Sequence, residues 1–251
     1  MTQLPRFGTA ADDREFEQLS LDFAGLESKL ALRELEYATR HAELLVFEAR
    51  YFSIVGIRLA QVDRLFATLA ERAAKACPHD LKASSAAAEA NKRAQDAEDT
   101  LRFETDKPTS TYQTSDLLKK LYREAARMVH PDLGSDDQDR ERRDHAMRAL
   151  NEAYERSDAT AMQRVVDEFK AGSTSSPIMN LAQHLDAIKV KITNVKRRLL
   201  QISKDLQTME DSELFQLFSK ANVATGRGQD LLRLMANELD DEITRLQKEA
   251  G

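Results

Sequence analysis

Four kinds of residue gather in one short stretch: His130, Pro131 and Asp132 in a row, cations before them, and Asp136, Asp137 and Asp139 after them. A histidine beside a carboxylate can move protons. A histidine among several carboxylates can hold a metal. A proline-fixed turn at the end of a cationic helix can present charge to a partner. Catalysis lacks a candidate nucleophile nearby in sequence, and there is no Gly-rich phosphate loop. A calcium loop would need a Gly and a closing Glu that "DDQD" lacks, and the next histidine, His145, is a helix away. The residues therefore predict no catalytic site, no metal and no cofactor. They predict a protein that is not an enzyme, with a docking edge in place of a reacting site.

The edge needs a helix to carry it. Ser115 or Asp116 is a good N-cap for a helix running to His130. On it, Leu118, Tyr122, Ala125 and Val129 share one face, and Lys119, Arg123, Arg127 and His130 share another. At about 100° per residue the second set occupies a strip of about 80°. Pro131 ends the helix. A second helix is expected over 138–155 with Met147, Leu150 and Tyr154 inward, then a short third one capped by Asp158, with Met162, Val165, Val166 and Phe169 on one side. Two antiparallel helices and a small third one make a compact unit over 109–170.

The rest of the chain reads as helix too. It is rich in Ala, Leu, Glu, Arg, Lys, Gln and Asp, has only 8 Gly and 5 Pro in 251 residues, and lacks the β-branched runs that mark strands. The fold class is all-α, with long coiled-coil-like helices flanking the small central unit. Pro78, Pro108 and Pro177 punctuate the segments. Over 1–77 an apolar stripe runs through Leu19, Phe23, Leu26 and Leu30, slips, and resumes through Leu35, Ala38, Ala42, Leu45, Ala49, Phe52, Gly56, Leu59, Val62, Phe66 and Leu69. This is a helical arm with coiled-coil spacing, and Gly56 marks a kink or a close backbone contact. Residues 78–108 are Ala-rich and charged, which predicts a polar linker, partly helical and largely exposed. Over 177–251 a stripe from Leu181 to Met209 steps 4-3-4-3, and a second restarts at Leu232 after a Gly-containing turn. An antiparallel helical hairpin is expected there, with "DSELFQLFSK" at its tip.

"LLKKLYREAARMVHPD" followed by "MRALNEAYE" resembles the J-domain of the DnaJ family, in a bacterial-type arrangement with coiled-coil flanks. Tyr122 and Arg123 match the family's Tyr-Arg, His130, Pro131 and Asp132 its signature loop, and residues 151–154 the "NEAY" of its third helix. The resemblance covers roughly a quarter of the chain. It implies a co-chaperone that docks on a DnaK-type chaperone ATPase and stimulates ATP hydrolysis. His130, Pro131 and Asp132 would then be the essential loop, and Lys119 and Arg123 the docking cations. Arg127 joins them because it shares the strip.

The sequence departs from the family in places. "FETDKPTSTYQTS" stands where the first helix belongs and has no apolar stripe, Glu124 interrupts the basic run, and Leu133 replaces a basic residue after the loop. There is no Gly/Phe-rich region and no cysteine-rich module. The helical arms would carry an unknown client or partner, packing on each other or on a second copy as a homodimer. The alternative is a coiled-coil scaffold or adaptor with a degenerate J-like domain, binding a protein or nucleic-acid partner without chaperone activity.

Charge and composition narrow the partners. A net charge of −6 does not favour nucleic acid. The basic helix bearing Lys189, Lys191, Lys196, Arg197, Arg198 and Lys204 reads as a solvated flank. Cys77 is the single thiol, the opening residues lack an apolar core of signal-peptide length, and no window is apolar enough to span a membrane. The expected location is the cytoplasm, without membrane contact.

Overall fold

The computed structural model of the chain describes residues 10–106, 112–113, 115–172 and 180–250. Every regular element among them is helical, so the fold is all-α. In order these are α1 (Ala10–Tyr51), a π turn (Phe52–Gly56), α2 (Ile57–Ala76), α3 (Leu81–Asp106), α4 (Asp116–Val129), a 3-10 turn (Pro131–Leu133), α5 (Asp137–Glu155), α6 (Ala159–Ala171), α7 (Leu181–Asp211), α8 (Glu213–Gly226) and α9 (Leu231–Ala250). Pro108 and Pro177, read as segment boundaries, lie outside the described residues. No described helix is long and apolar enough to cross a membrane.

The contacts divide the chain into two compact units. One takes the chain up to Glu43 and Thr111–Glu210, the other Leu44–Ser110 and Asp211–Gly251.

In the first unit, caps fix the helix starts. Ser115 accepts the Leu118 N–H, Asp136 that of Asp139, and Asp158 that of Ala161. Asn180 and Gln183 cap α7 reciprocally, each side-chain oxygen taking the other's backbone N–H at 2.9 Å. Helices α4, α5 and α6 pack on one another, and the expected core residues Leu118, Tyr122, Ala125, Val129, Met147, Leu150 and Tyr154 are all buried. A second cluster joins α1 and α7: Leu30 with Val195, Ile202 and Leu206, flanked by Phe23, Leu26, Tyr37 and Leu199. The α7 stripe read from the sequence supplies this cluster, through packing rather than a demonstrated supercoil.

The second unit differs from the sequence reading in three ways. Residues 81–106 form one continuous helix that packs along α2, so the segment read as a linker is a structural member. Ala87 and Ala94 are buried, Arg64 pairs with Glu98 at 2.7 Å, and Asn91 donates to Glu71 at 2.6 Å. A helix can hold its neighbour through small side chains that allow close approach, and such a face leaves no large apolar stripe in the sequence. Next, the expected hairpin over 177–251 is divided: α7 belongs to the first unit, while α9 packs on α2 and α8 in the second. Two clusters hold it, one around Phe47, Val55, Ala221 and Leu232, the other around Val62, Ile243 and Leu246.

The third difference is a change of face. Leu59 and Phe66, read as core, are 38% and 44% exposed, and Ala60 and Ala67 are buried instead, while Val62, also read as core, is buried as expected. The π turn winds one more residue into its turn than an α-helix does, which shifts the phase by about one residue, roughly 100°, as from Leu59 to Ala60 and from Phe66 to Ala67. Val62 and Leu69 stay packed because α2 is covered both by α3 and by α9. Gly56 lies inside it, buried, where an added Cβ would come 2.9 Å from the Phe52 ring and 3.6 Å from Leu101.

Candidate functional site

The strip on α4 forms as the helix phase predicts. Arg123 and Arg127 are exposed and Lys119 is half-buried. None of the three makes an ion pair among the described residues. At the end of α4 the His130 backbone turns from helical to extended, and Pro131 opens a single 3-10 turn.

The turn departs from the expected docking edge at its first residue. His130 does not continue the open strip: it is 2% exposed. Its Nδ1 accepts the backbone N–H of Asp132 at 3.1 Å. A backbone N–H can only donate, so Nδ1 carries the lone pair and Nε2 the hydrogen. Nε2–H donates to Glu34 Oε1 on α1 at 2.9 Å. The same carboxylate accepts from Arg198 on α7, Nε to Oε1 at 2.6 Å and an Nη to Oε2 at 3.1 Å. Glu34 is itself only 3% exposed.

Electrostatics favour the ionised carboxylate. Burial pushes the Glu34 carboxyl up, but the hydrogen bonds from His130 and Arg198 and the Arg198 charge outweigh it, so its pKa falls below the usual value. Burial alone would lower the Arg198 guanidinium, and the bond and charge of Glu34, with the charges of Asp205 and Asp132, more than reverse this. A buried charge pair of this kind is tolerated when its lone pairs are filled, as they are here on three sides.

Two further contacts tie down the turn. Leu133 is 5% exposed and inserts into the α1–α7 cluster beside Leu30 and Val195. Gly134 is closely packed, since a Cβ there would come 3.1 Å from the Arg140 backbone and from the Pro131 carbonyl oxygen. Asp132 is half-buried, 3.9 Å from an Arg197 Nη. His130, Pro131 and Asp132 line a cleft of about 330 Å³ together with Met147, Asn151 and the Glu34–Arg198 pair.

The "NEAY" segment also meets α1. Tyr154 OH lies 2.9 Å from Thr39 Oγ1 and 3.0 Å from Tyr112 OH, and Tyr122 OH donates to Asn151 Oδ1 at 2.7 Å. Tyr112, from the segment that lacks a helical stripe, is buried against the Tyr154 ring. On α5, burial raises the Asp139 carboxyl, but hydrogen bonds from Arg143, Arg142 and the Ser135 N–H bring it down to about 2. Among the described residues no group of three His, Cys, Asp or Glu side chains could hold a metal ion.

Sequence reasoning missed Glu34 and read Arg198 as part of a solvated flank, whereas Arg198 is two-thirds buried and paired with Glu34; a signal for both was present. Glu34 stands four residues after Leu30 and four before Ala38, on the apolar face where the stripe slips. Arg198 falls three after Val195 and four before Ile202, again on the inward face. A charge inside an apolar stripe at helical spacing calls for a buried partner. Set beside known proteins, the chain matches no family model, no curated protein and no solved structure.

Proposed function

We propose that the chain is a non-enzymatic, cytoplasmic J-domain co-chaperone, which docks on a DnaK-type chaperone ATPase and stimulates its ATP hydrolysis. The observation that carries this reading is the α4 strip: Lys119, Arg123 and Arg127, unpaired among the described residues, lead directly to Pro131 and Asp132. A free cationic face beside a fixed acidic turn steers a partner of complementary charge and sets its register. The helices outside 109–170 would bind the client or a second copy of the chain.

Single-turnover ATP hydrolysis by a DnaK-type chaperone tests the reading, with the full chain titrated to saturation. Stimulation should fall with added salt and with Arg123→Ala plus Arg127→Ala, and it should be lost in His130→Gln. No stimulation at saturation would hand the protein to the second reading, a helical scaffold whose J-like unit is structural. One observation favours that reading: His130 and Leu133 are built into the packing against α1 and α7.

A further inference from the structure

We propose that α1 and α7 form a built-in cover over the His130–Asp132 turn, held by the buried Glu34–Arg198 pair, which must open before the turn can dock. The proposal rests on the co-chaperone reading and adds its regulation. Both helices take part. From α1, Glu34 fills the Nε2–H of His130. From α7, Arg198 holds the Glu34 carboxylate in place with two hydrogen bonds. Beneath the turn, Leu133 is fastened to Leu30 and Val195 by apolar packing. His130 therefore has no free donor or acceptor to offer a partner, while the cations of α4 remain open.

The seal is suited to opening as well as closing. Its polar bonds are exchanged for bonds to water once the helices part, so the cost of opening falls on the apolar contacts of Leu133. Arg198 is about one-third exposed and Asp132 borders the open cleft, so solvent reaches the pair from one side. A partner drawn to the α4 strip meets a turn whose histidine is hidden most of the time. The apparent affinity is then the intrinsic affinity reduced by the open fraction.

Removing Glu34 leaves the His130 Nε2–H and Arg198 without their acceptor, which penalises only the closed form. Glu34→Ala should raise the open fraction roughly 5- to 100-fold. Arg198→Ala should have a smaller effect in the same direction, and it serves as the second variant should Glu34→Ala fail to fold, which the helical circular dichroism melt reports. Two readouts are made on the full chain: amide hydrogen exchange of the 130–134 turn, and single-turnover ATPase stimulation of a DnaK-type chaperone below saturation.

The cover is supported if exchange accelerates severalfold in folded variants and half-maximal stimulation moves to lower concentration. His130→Gln in the Glu34→Ala background must then abolish the gain. Unchanged exchange in folded variants overturns the cover, and so does a wild-type chain as potent as the variants. Faster exchange with no stimulation from any chain upholds the cover as a structural device and overturns the co-chaperone reading.

Discussion

The two compact units are built from the same kind of helix and held by different forces. The first buries charge: Glu34 and His130 are the buried polar side chains among the described residues, and both are there. The second places its ion pairs at the surface, as with Arg50–Asp230 and Arg58–Asp240, and closes its interior with Ala, Val, Leu and Phe. A fold that needed only a core could have been built throughout like the second unit, because replacing a buried ion pair with apolar residues is often neutral or stabilising. The charge inside the first unit is therefore the part of the molecule that packing alone does not explain. It lies where the candidate docking turn meets its own neighbours.

Three measurements would break or sharpen this contrast. The largest effect is expected for Leu150→Ala, which empties a fully buried position on α5 and should cost about 2–5 kcal/mol in urea unfolding. If the units are separately stabilised, hydrogen exchange should accelerate in α4–α6 and stay slow in α2 and α3. Equal acceleration in both would erase the distinction. A middle effect is expected for Ala94→Leu on α3, where the buried methyl leaves no room for a larger side chain. Forcing one in should cost about 1–3 kcal/mol and loosen α3 from α2. A neutral outcome would mean that α3 is the exposed linker its composition suggests.

The smallest effect concerns pH. The folded Asp139 carboxyl lies at about 2, below the ordinary carboxylate range. A depressed folded value stabilises above the unfolded value of about 4, and this contribution disappears as pH falls from there through about 2. Asp139→Asn should therefore lose about 1–2 kcal/mol at neutral pH and flatten the acid limb of the stability curve below pH 4. An unchanged acid limb would show that the bonds from Arg142 and Arg143 contribute nothing to the first unit.

Much of this was legible from local rules. Ser115 and Asp158 could be read as caps because capping needs only neighbours in sequence. The stripe from Leu181 to Met209 could be read as buried because its period is regular, and none of its named residues is exposed. What the stripe meets was not legible, since a heptad specifies a face and not a partner. That is why α7 and α9 looked like one hairpin. Helix α3 escaped because a face of alanines carries little apolar weight per residue. Glu34 escaped because its partners, His130 and Arg198, lie 96 and 164 residues away in sequence.

The π turn between α1 and α2 behaves like a spliced-in residue. Phe52–Gly56 is where an extra residue is taken up, and Ala60 and Ala67 stand one position after the Leu59 and Phe66 of the upstream stripe. Deleting one residue there would return the turn to α-helix and leave the faces of α2 as they are, because the extra residue is what the turn absorbs. Relaxing the turn to α-helix with no deletion would instead rotate α2 by about one residue and bring Leu59 and Phe66 towards the places of Ala60 and Ala67. The turn thus lets the chain gain or lose a residue without changing what α2 shows to its neighbours.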